Sequence, residues 1–168
     1  DIKGLFSKIE AEVLNQFKLI YKEGDIQKGR NLLVFEVAKR NIFNFLHVEL
    51  KSLEAGDEVK VIFLEEKFFR ILKHPDLPYD VKIGGEVDRI EERNGKIRII
   101  DYKTGKVEAA SVTLKTWDNL VTEIKNDKII QILAYAFMFE NHANGKEMEV
   151  GIISFKNLRN GFLPFKFK

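Results

Sequence analysis

Apolar positions recur at helical spacing in the first third of the chain and at strand-like spacing in the middle. Leu5, Ile9, Val13 and Phe17 predict an amphipathic helix over residues 3–22. The polar stretch KEGDIQKGRN (22–31) predicts a loop. Leu33, Val37, Ile42, Phe45 and Leu46 predict a second helix over 31–53, with Gly56 as its stop. The pattern then changes. EVKVIFLEEKFFRILK (58–73) is rich in Val, Ile and Phe and predicts a strand. HPDLPY (74–79) is a loop, and DVKIGGEVDRIEER (80–93) a second strand. Asn94-Gly95 predicts a tight hairpin into KIRIIDYK (96–103), a third strand antiparallel to the second. Residues 104–127 form a long excursion with one helical turn expected near Trp117; it is either a functional loop or a disordered one. A helix over 128–142, a strand over 148–156 and a short edge strand at Pro164 complete the pattern.

The order α, α, β, β, β, α, β, β, a hairpin followed by a helical crossover, predicts an α/β fold with a mixed sheet. A chain of 168 residues suits a single domain, and 45% hydrophobic with 32% charged residues suits a globular one. There is no cysteine, which excludes disulfides and thiolate metal sites and fits a reducing, cytoplasmic setting. No apolar run approaches the ~20 residues of a membrane span. The start, DIKGLFSKIEAE, is charged rather than signal-like and lacks Met, so a piece of a larger protein is expected. A net charge of +2 is too small to argue for a nucleic-acid partner by itself. The tail concentrates Lys156, Arg159, Lys166 and Lys168 without an acid, either as an edge strand guarded by lysines or as a phosphate-binding strip. KTGK (103–106) lacks the spacing of a nucleotide-binding glycine loop, so no ATPase is expected.

The pointed chemistry lies in GGEVDRI (84–90) and DYKTG (101–105). Residues i and i+2 of a strand share a face, so Asp101 and Lys103 project together. Asp88 stands about as far before the Asn94-Gly95 turn as Asp101 stands after it, so the hairpin sets the two acids roughly opposite each other. Converging carboxylates repel, and a hard divalent cation, Mg²⁺ or Mn²⁺, relieves them. A lysine beside such an ion can orient or deprotonate water, which is the basic equipment for phosphodiester hydrolysis. The plainer alternative is a surface ion pair on a strand, worth little, with Gly84 and Gly85 marking a bulge.

GGEVDRI, IIDYKTG and QILAYAF (131–137), in that order, resemble the RecB-type nuclease domains of the PD-(D/E)XK superfamily, found in helicase–nuclease complexes such as RecB and AddB. The resemblance spans roughly residues 29–155. It implies a restriction-endonuclease-like core, a central mixed β-sheet flanked by helices in αβββαβ order. It implies Asp88 and Asp101 as metal ligands with the main-chain carbonyl of Tyr102, Lys103 as the catalytic lysine, and Gln131 and Tyr135 on one helix face toward the active site or the DNA. The family's histidine on the preceding helix is missing: Leu33 stands four residues after Gly29. Glu36 is the expected replacement ligand. His47 and Glu49 are expected on the helix surface, and Glu65 and Glu66 are further acids on the first strand. The implied activity is Mg²⁺-dependent DNA cleavage, expected to be exonucleolytic and in repair or recombination, with a helicase domain or subunit as partner and no membrane. The alternative is an inactive DNA-binding or scaffolding module. The four cysteines with which some family members bind an iron–sulfur cluster are absent.

Overall fold

In the computed structural model, which describes residues 2–22, 25–118 and 120–168, the chain divides into an all-helical unit, Asp1–Gly56, and a mixed unit that holds every strand and one further α-helix, Asp57–Lys168. The first unit holds a 3₁₀ turn (Ile2–Lys8) and two helices, α1 (Ile9–Tyr21) and α2 (Gly29–Glu54). Ile9, Val13 and Phe17 bury against Phe35, with Ala38, Ile42 and Leu46 continuing the stripe on α2. Leu5 is left 45% exposed, because 3₁₀ geometry turns it off the α-helical stripe. Leu33 and Val37 are 64% and 48% exposed, so the stripe expected on α2 is partly the wrong one. Apolar residues occupy more than one face of this helix, and periodicity alone does not choose between them. Gly56 stops α2 as expected, at φ 102°, its N–H bonded to Leu53 O at 3.0 Å.

The second unit runs β1 (Val59–Leu72), β2 (Val81–Arg93), β3 (Lys96–Lys103), β4 (Thr113–Leu114), α3 (Asp127–Phe139), β5 (Met148–Ser154), β6 (Phe162–Pro164) and β7 (Lys166–Phe167). The main sheet has the order β1-β2-β3-β5-β6. Asn94 (φ 52°) and Gly95 (φ 82°) turn β2 into β3, the left-handed pair that a tight hairpin requires. β5 lies parallel to β3, and the connection between them contains α3. Ile132, Met138 and Phe139 of that helix pack on Val87, Ile90, Ile99 and Ile152 of the sheet.

The edge is built by glycine. A Cβ on Gly151 would lie 2.2 Å from the carbonyl oxygen of Leu163, so only glycine lets β6 pair this closely with β5. The single edge strand expected at the C-terminus is two strands in two sheets. β6 ends the main sheet, whereas β7 pairs in parallel with β4. β5 likewise ends at Ser154, and residues Phe155–Asn160 form a 3₁₀ segment. The long excursion is ordered by buried anchors, Val107, Val112 and Leu114. The helical turn expected near Trp117 is a single hydrogen-bonded turn, Leu120 N–H to Trp117 O at 3.1 Å.

Candidate active site

The sheet places the acids through a break in its own alternation. Along β2, Val81, Ile83, Gly85 and Val87 are the more buried positions and Lys82, Gly84 and Glu86 the exposed ones. From Ile90 the phase is reversed: Ile90 joins the core under α3, and Arg89, Glu91 and Arg93 form a separate buried polar set. The slip falls at Asp88. On β1, Leu64 pairs with Arg89 and Glu66 with Val87, which leaves Glu65 opposite Asp88 without a ladder pair, and Glu65 has φ 48°. A left-handed backbone at a non-glycine residue costs energy and is tolerated where a strand must re-aim a side chain. Gly84 and Gly85 are not the irregularity: both pair regularly with Phe69 and Phe68.

β2 and β3 pair from Arg93–Lys96 up to Arg89–Ile100. The next step of that register is Asp88 with Asp101, as the turn count predicts. The ladder stops there, and the Asp88 carboxylate takes over, accepting the main-chain N–H of Tyr102 at 2.7 Å. In extended backbone the N–H and C=O of one residue leave the strand on the same side, so the Tyr102 carbonyl is directed toward β2 as well. The alternation agrees with Ile97, whose N–H points the other way, to Glu147 O at 2.9 Å.

Asp101 and Lys103 share the face that α3 covers. Asp101 is 2% exposed. Lys103 Nζ donates to Asp101 Oδ1 at 3.0 Å and to Gln131 Oε1 at 2.9 Å, and Gln131 Nε2 donates to Tyr135 OH at 2.8 Å. The i, i+4 pair on α3 thus continues the line begun on β3. Five of the expected residues, Asp88, Asp101, Lys103, Gln131 and Tyr135, are therefore gathered around the end of the β2–β3 hairpin with Tyr102.

Burial pushes the Asp101 carboxyl above its ordinary pKa, and the charge of Asp88 adds to the rise; the hydrogen bond and charge of Lys103 and the charge of Lys128 oppose it. Burial also raises the Tyr135 hydroxyl, opposed by its bond from Gln131 and reinforced by Asp101 and Asp88. Lys128 was missed in the sequence. Its signal was its place three residues before Gln131, one turn earlier on the same helix face.

The remaining candidates divide between the two units. Glu36 belongs to the N-terminal unit, exposed, accepting from Lys39 Nζ at 3.0 Å. His47, in the same unit, packs its ring against Phe43 and Phe6, with centroids 4.7 and 4.9 Å away. Glu65 and Glu66 are exposed on β1. Among the described residues no group of three or more His, Asp or Glu side chains converges as a ready metal cluster.

The profile of the PD-(D/E)XK nuclease superfamily matches residues 10–162. The chain belongs to this superfamily. The mixed sheet with its αβββαβ core is the restriction-endonuclease-like fold of its members. No curated protein matches the chain. Among solved structures, the crystal structure of SSO0001 aligns over 97% of this chain and 75% of that one, at 17% identity and a TM-score of 0.28, a likeness too slight to carry an argument.

PD-(D/E)XK nucleases depend on divalent metal, and the donors here suit one. Lys103 Nζ lies 2.8 Å from Asp101 Oδ2 as an ion pair, but its directed hydrogen bond goes to Oδ1. Oδ2 is buried without a hydrogen bond. A buried carboxylate oxygen with an unused acceptor position, beside a second carboxylate, is a hard anionic site that a cation would satisfy.

Proposed function

We propose that the chain is a metal-dependent deoxyribonuclease of the RecB type, working as an exonuclease in DNA repair or recombination, as one nuclease domain of a larger protein with a helicase domain or subunit as partner. The observation that carries this reading is the continuous line Asp101–Lys103–Gln131–Tyr135 beside Asp88 at the open end of a hairpin.

Asp88, Asp101 and the Tyr102 carbonyl would hold Mg²⁺ or Mn²⁺, with Glu36 assigned as the ligand from α2 on the sequence resemblance. When bound, the ion lowers the pKa of water and neutralises charge on the phosphate. The protein's own residues do the rest. Tyr102 N–H fixes one oxygen of Asp88 and leaves the other for a ligand. Lys103, whose amine donates to Asp101 and Gln131, would hold the attacking water and steady the negative charge that develops. Gln131 accepts a second hydrogen bond from the lysine amine beside that to Asp101, so the amine has a defined position rather than a free rotor's range. Tyr135 accepts the Gln131 amide and fixes it.

The test is cleavage of labelled single- and double-stranded DNA with Mg²⁺, Mn²⁺ or EDTA, wild type beside Lys103→Ala. Cleavage that needs metal and disappears with Lys103 is the expected result. Cleavage unaffected by the substitution overturns the assignment, and DNA binding without any cleavage favours an inactive binding module.

A further inference from the structure

We propose that Trp117 and Phe167 form a stacking platform for the unpaired bases of single-stranded DNA, with Lys115, Lys166 and Lys168 taking its phosphates. The proposal deepens the nuclease reading and rests on it for the polymer, but the platform is argued from its own residues.

The β4–β7 ladder builds the platform. Thr113 pairs with Lys166 and Leu114 with Phe167, and Lys168 N–H bonds to Leu114 O at 3.0 Å. This small sheet carries the end of the chain to Trp117. The indole stacks on the Phe167 ring, centroids 5.2 Å apart and planes 15° from parallel, with Phe165 at 6.3 Å. Both Trp117 and Phe167 are nevertheless 52% exposed. A large aromatic left half in water usually keeps rotamer freedom; this one has a ring behind it. The Trp117 loop is also pinned, Thr116 Oγ1 donating to Asp118 Oδ2 at 3.0 Å and accepting from Asp118 N–H at 3.3 Å. A rigid, exposed π-face loses little entropy when a base stacks on it.

The charge around it is of the right sign. Lys115, Lys166 and Lys168 are exposed, and among the described residues none of the three is in an ion pair. Of the acids nearby, Asp118 bonds within its own loop, Glu123, which also lines the adjoining cavity, pairs with Lys125, and Asp127 at the start of α3 pairs with Lys128. Beside the ladder is a cavity of about 480 Å³ lined by Ser111, Thr113, Lys115, Thr116, Lys125 and Asn126. Asn126 is the residue from which α3 starts, and within about the next two and a half turns α3 carries Lys128, Gln131 and Tyr135. A strand lying on the platform is therefore led along α3 toward the acids. Two of the four tail cations, Lys166 and Lys168, flank Phe167, the stacking partner of the one Trp of the chain. A guarded edge strand would not need an exposed indole next to it.

Trp117 is the only tryptophan, so its fluorescence reports on the platform alone. The intact chain in EDTA is titrated with oligo-dT and with the same length of dT·dA duplex, and binding of labelled oligo-dT is followed by anisotropy. The expected result is quenching by oligo-dT, much weaker quenching by duplex, and about ten-fold or greater loss of affinity in Trp117→Leu with most of it retained in Trp117→Phe. Lys166→Ser with Lys168→Ser should reduce the salt slope by roughly 1.4. Binding without quenching, equal quenching by duplex, unchanged affinity in Trp117→Leu, or no binding in EDTA overturns the platform. Metal-dependent cleavage that survives Trp117→Leu leaves the nuclease reading standing in that case; quenching without cleavage sinks the nuclease reading and keeps the platform.

Discussion

Asp88 accepts the main-chain N–H of Tyr102 at 2.7 Å at the point where the β2–β3 ladder runs out. One carboxylate oxygen thus completes the sheet while the other is free for chemistry. The two jobs separate by mutation. Asp88→Asn keeps an oxygen for the N–H and should melt within a few degrees of wild type, yet lose cleavage by about a hundred-fold or more, as when a charge-stabilising group is removed. Asp88→Ala should lose cleavage equally and in addition about 1–3 kcal/mol of stability, the cost of an unmet backbone donor. Equal melting of the two variants would contradict the structural half of this role.

The buried acid has a stability cost that pH reveals. Asp101 has a raised pKa in the folded chain, burial being the main cause. The folded protein therefore keeps this proton at pH values where the unfolded chain has released it. Stability falls as pH rises through the window between the ordinary Asp value of about 4 and the folded value, and the full cost stands above that window. Asp101→Asn removes the charge and keeps the shape. It should raise the melting temperature at neutral pH by a few degrees, the scale of about 1 kcal/mol in a chain of this size, and the gain should vanish below about pH 4. Thermal melts of both proteins across that range decide it; a gain that grows toward acid would refute it.

A cation should do the same by binding. Mg²⁺ or Mn²⁺ that binds the folded site raises the melting temperature in proportion to the logarithm of its concentration above Kd. The wild type should show this rise, and Asp88→Asn and Asp101→Asn should each lose most of it. Metal-dependent stabilisation that persists in both variants would place the ion elsewhere.

Lys103, Gln131 and Tyr135 act as one unit, because each holds the next. Tyr135→Phe removes the oxygen that receives the Gln131 amide and should reduce turnover several-fold; Gln131→Ala should reduce it more, since the lysine loses its second anchor. The double variant should cost less than the sum of the two, the signature of residues in one hydrogen-bonded line. Additive losses would separate them.

What was legible in the sequence follows from range. The Asn94-Gly95 turn dictates the β2–β3 pairing locally, so the opposition of Asp88 and Asp101 could be counted from it. The i, i+4 spacing of Gln131 and Tyr135 is likewise local. The αβββαβ order was legible because each change of period lies within one stretch of chain. The partnership of β7 with β4 was not, because it joins residues far apart in sequence through ladders of two residues each. The bulge that the glycines at 84 and 85 could have marked lies elsewhere: the β1–β2 register shifts between Val61 and Phe63, and Glu65, the residue with the left-handed backbone, also sits on β1. Burial of Leu33 and Val37 failed because α2 offers more apolar residues than one partner helix covers.

Behind Asp88 lies a polar group that the sequence shows only as alternate charges, Arg89, Glu91 and Arg93. Glu91 is 0% exposed. It accepts from Arg93 Nε at 2.7 Å and pairs with Arg89, whose Nη1 donates to Tyr102 OH at 3.2 Å. Arg89 thus adjoins Asp88 in sequence and grips the residue next to Asp101. Removing the shared acid takes the central carboxylate from two buried guanidinium groups, with Arg93 keeping its contact with Asp57 at 3.4 Å. Glu91→Ala should therefore cost about 3–5 kcal/mol, the scale for breaking a buried pair on one side, or a melting shift of about 10 °C or more. Replacing Arg89, Glu91 and Arg93 together with apolar residues of similar size should restore much of the melting temperature, because the buried charges leave together and Asp57, the partner left behind, is more than a third exposed. It should not restore cleavage to the same extent, since Tyr102 then loses its grip from Arg89. A triple variant that melts like wild type and cleaves like wild type would reduce the network to packing; one that melts well and cleaves poorly would show that it positions the end of β3.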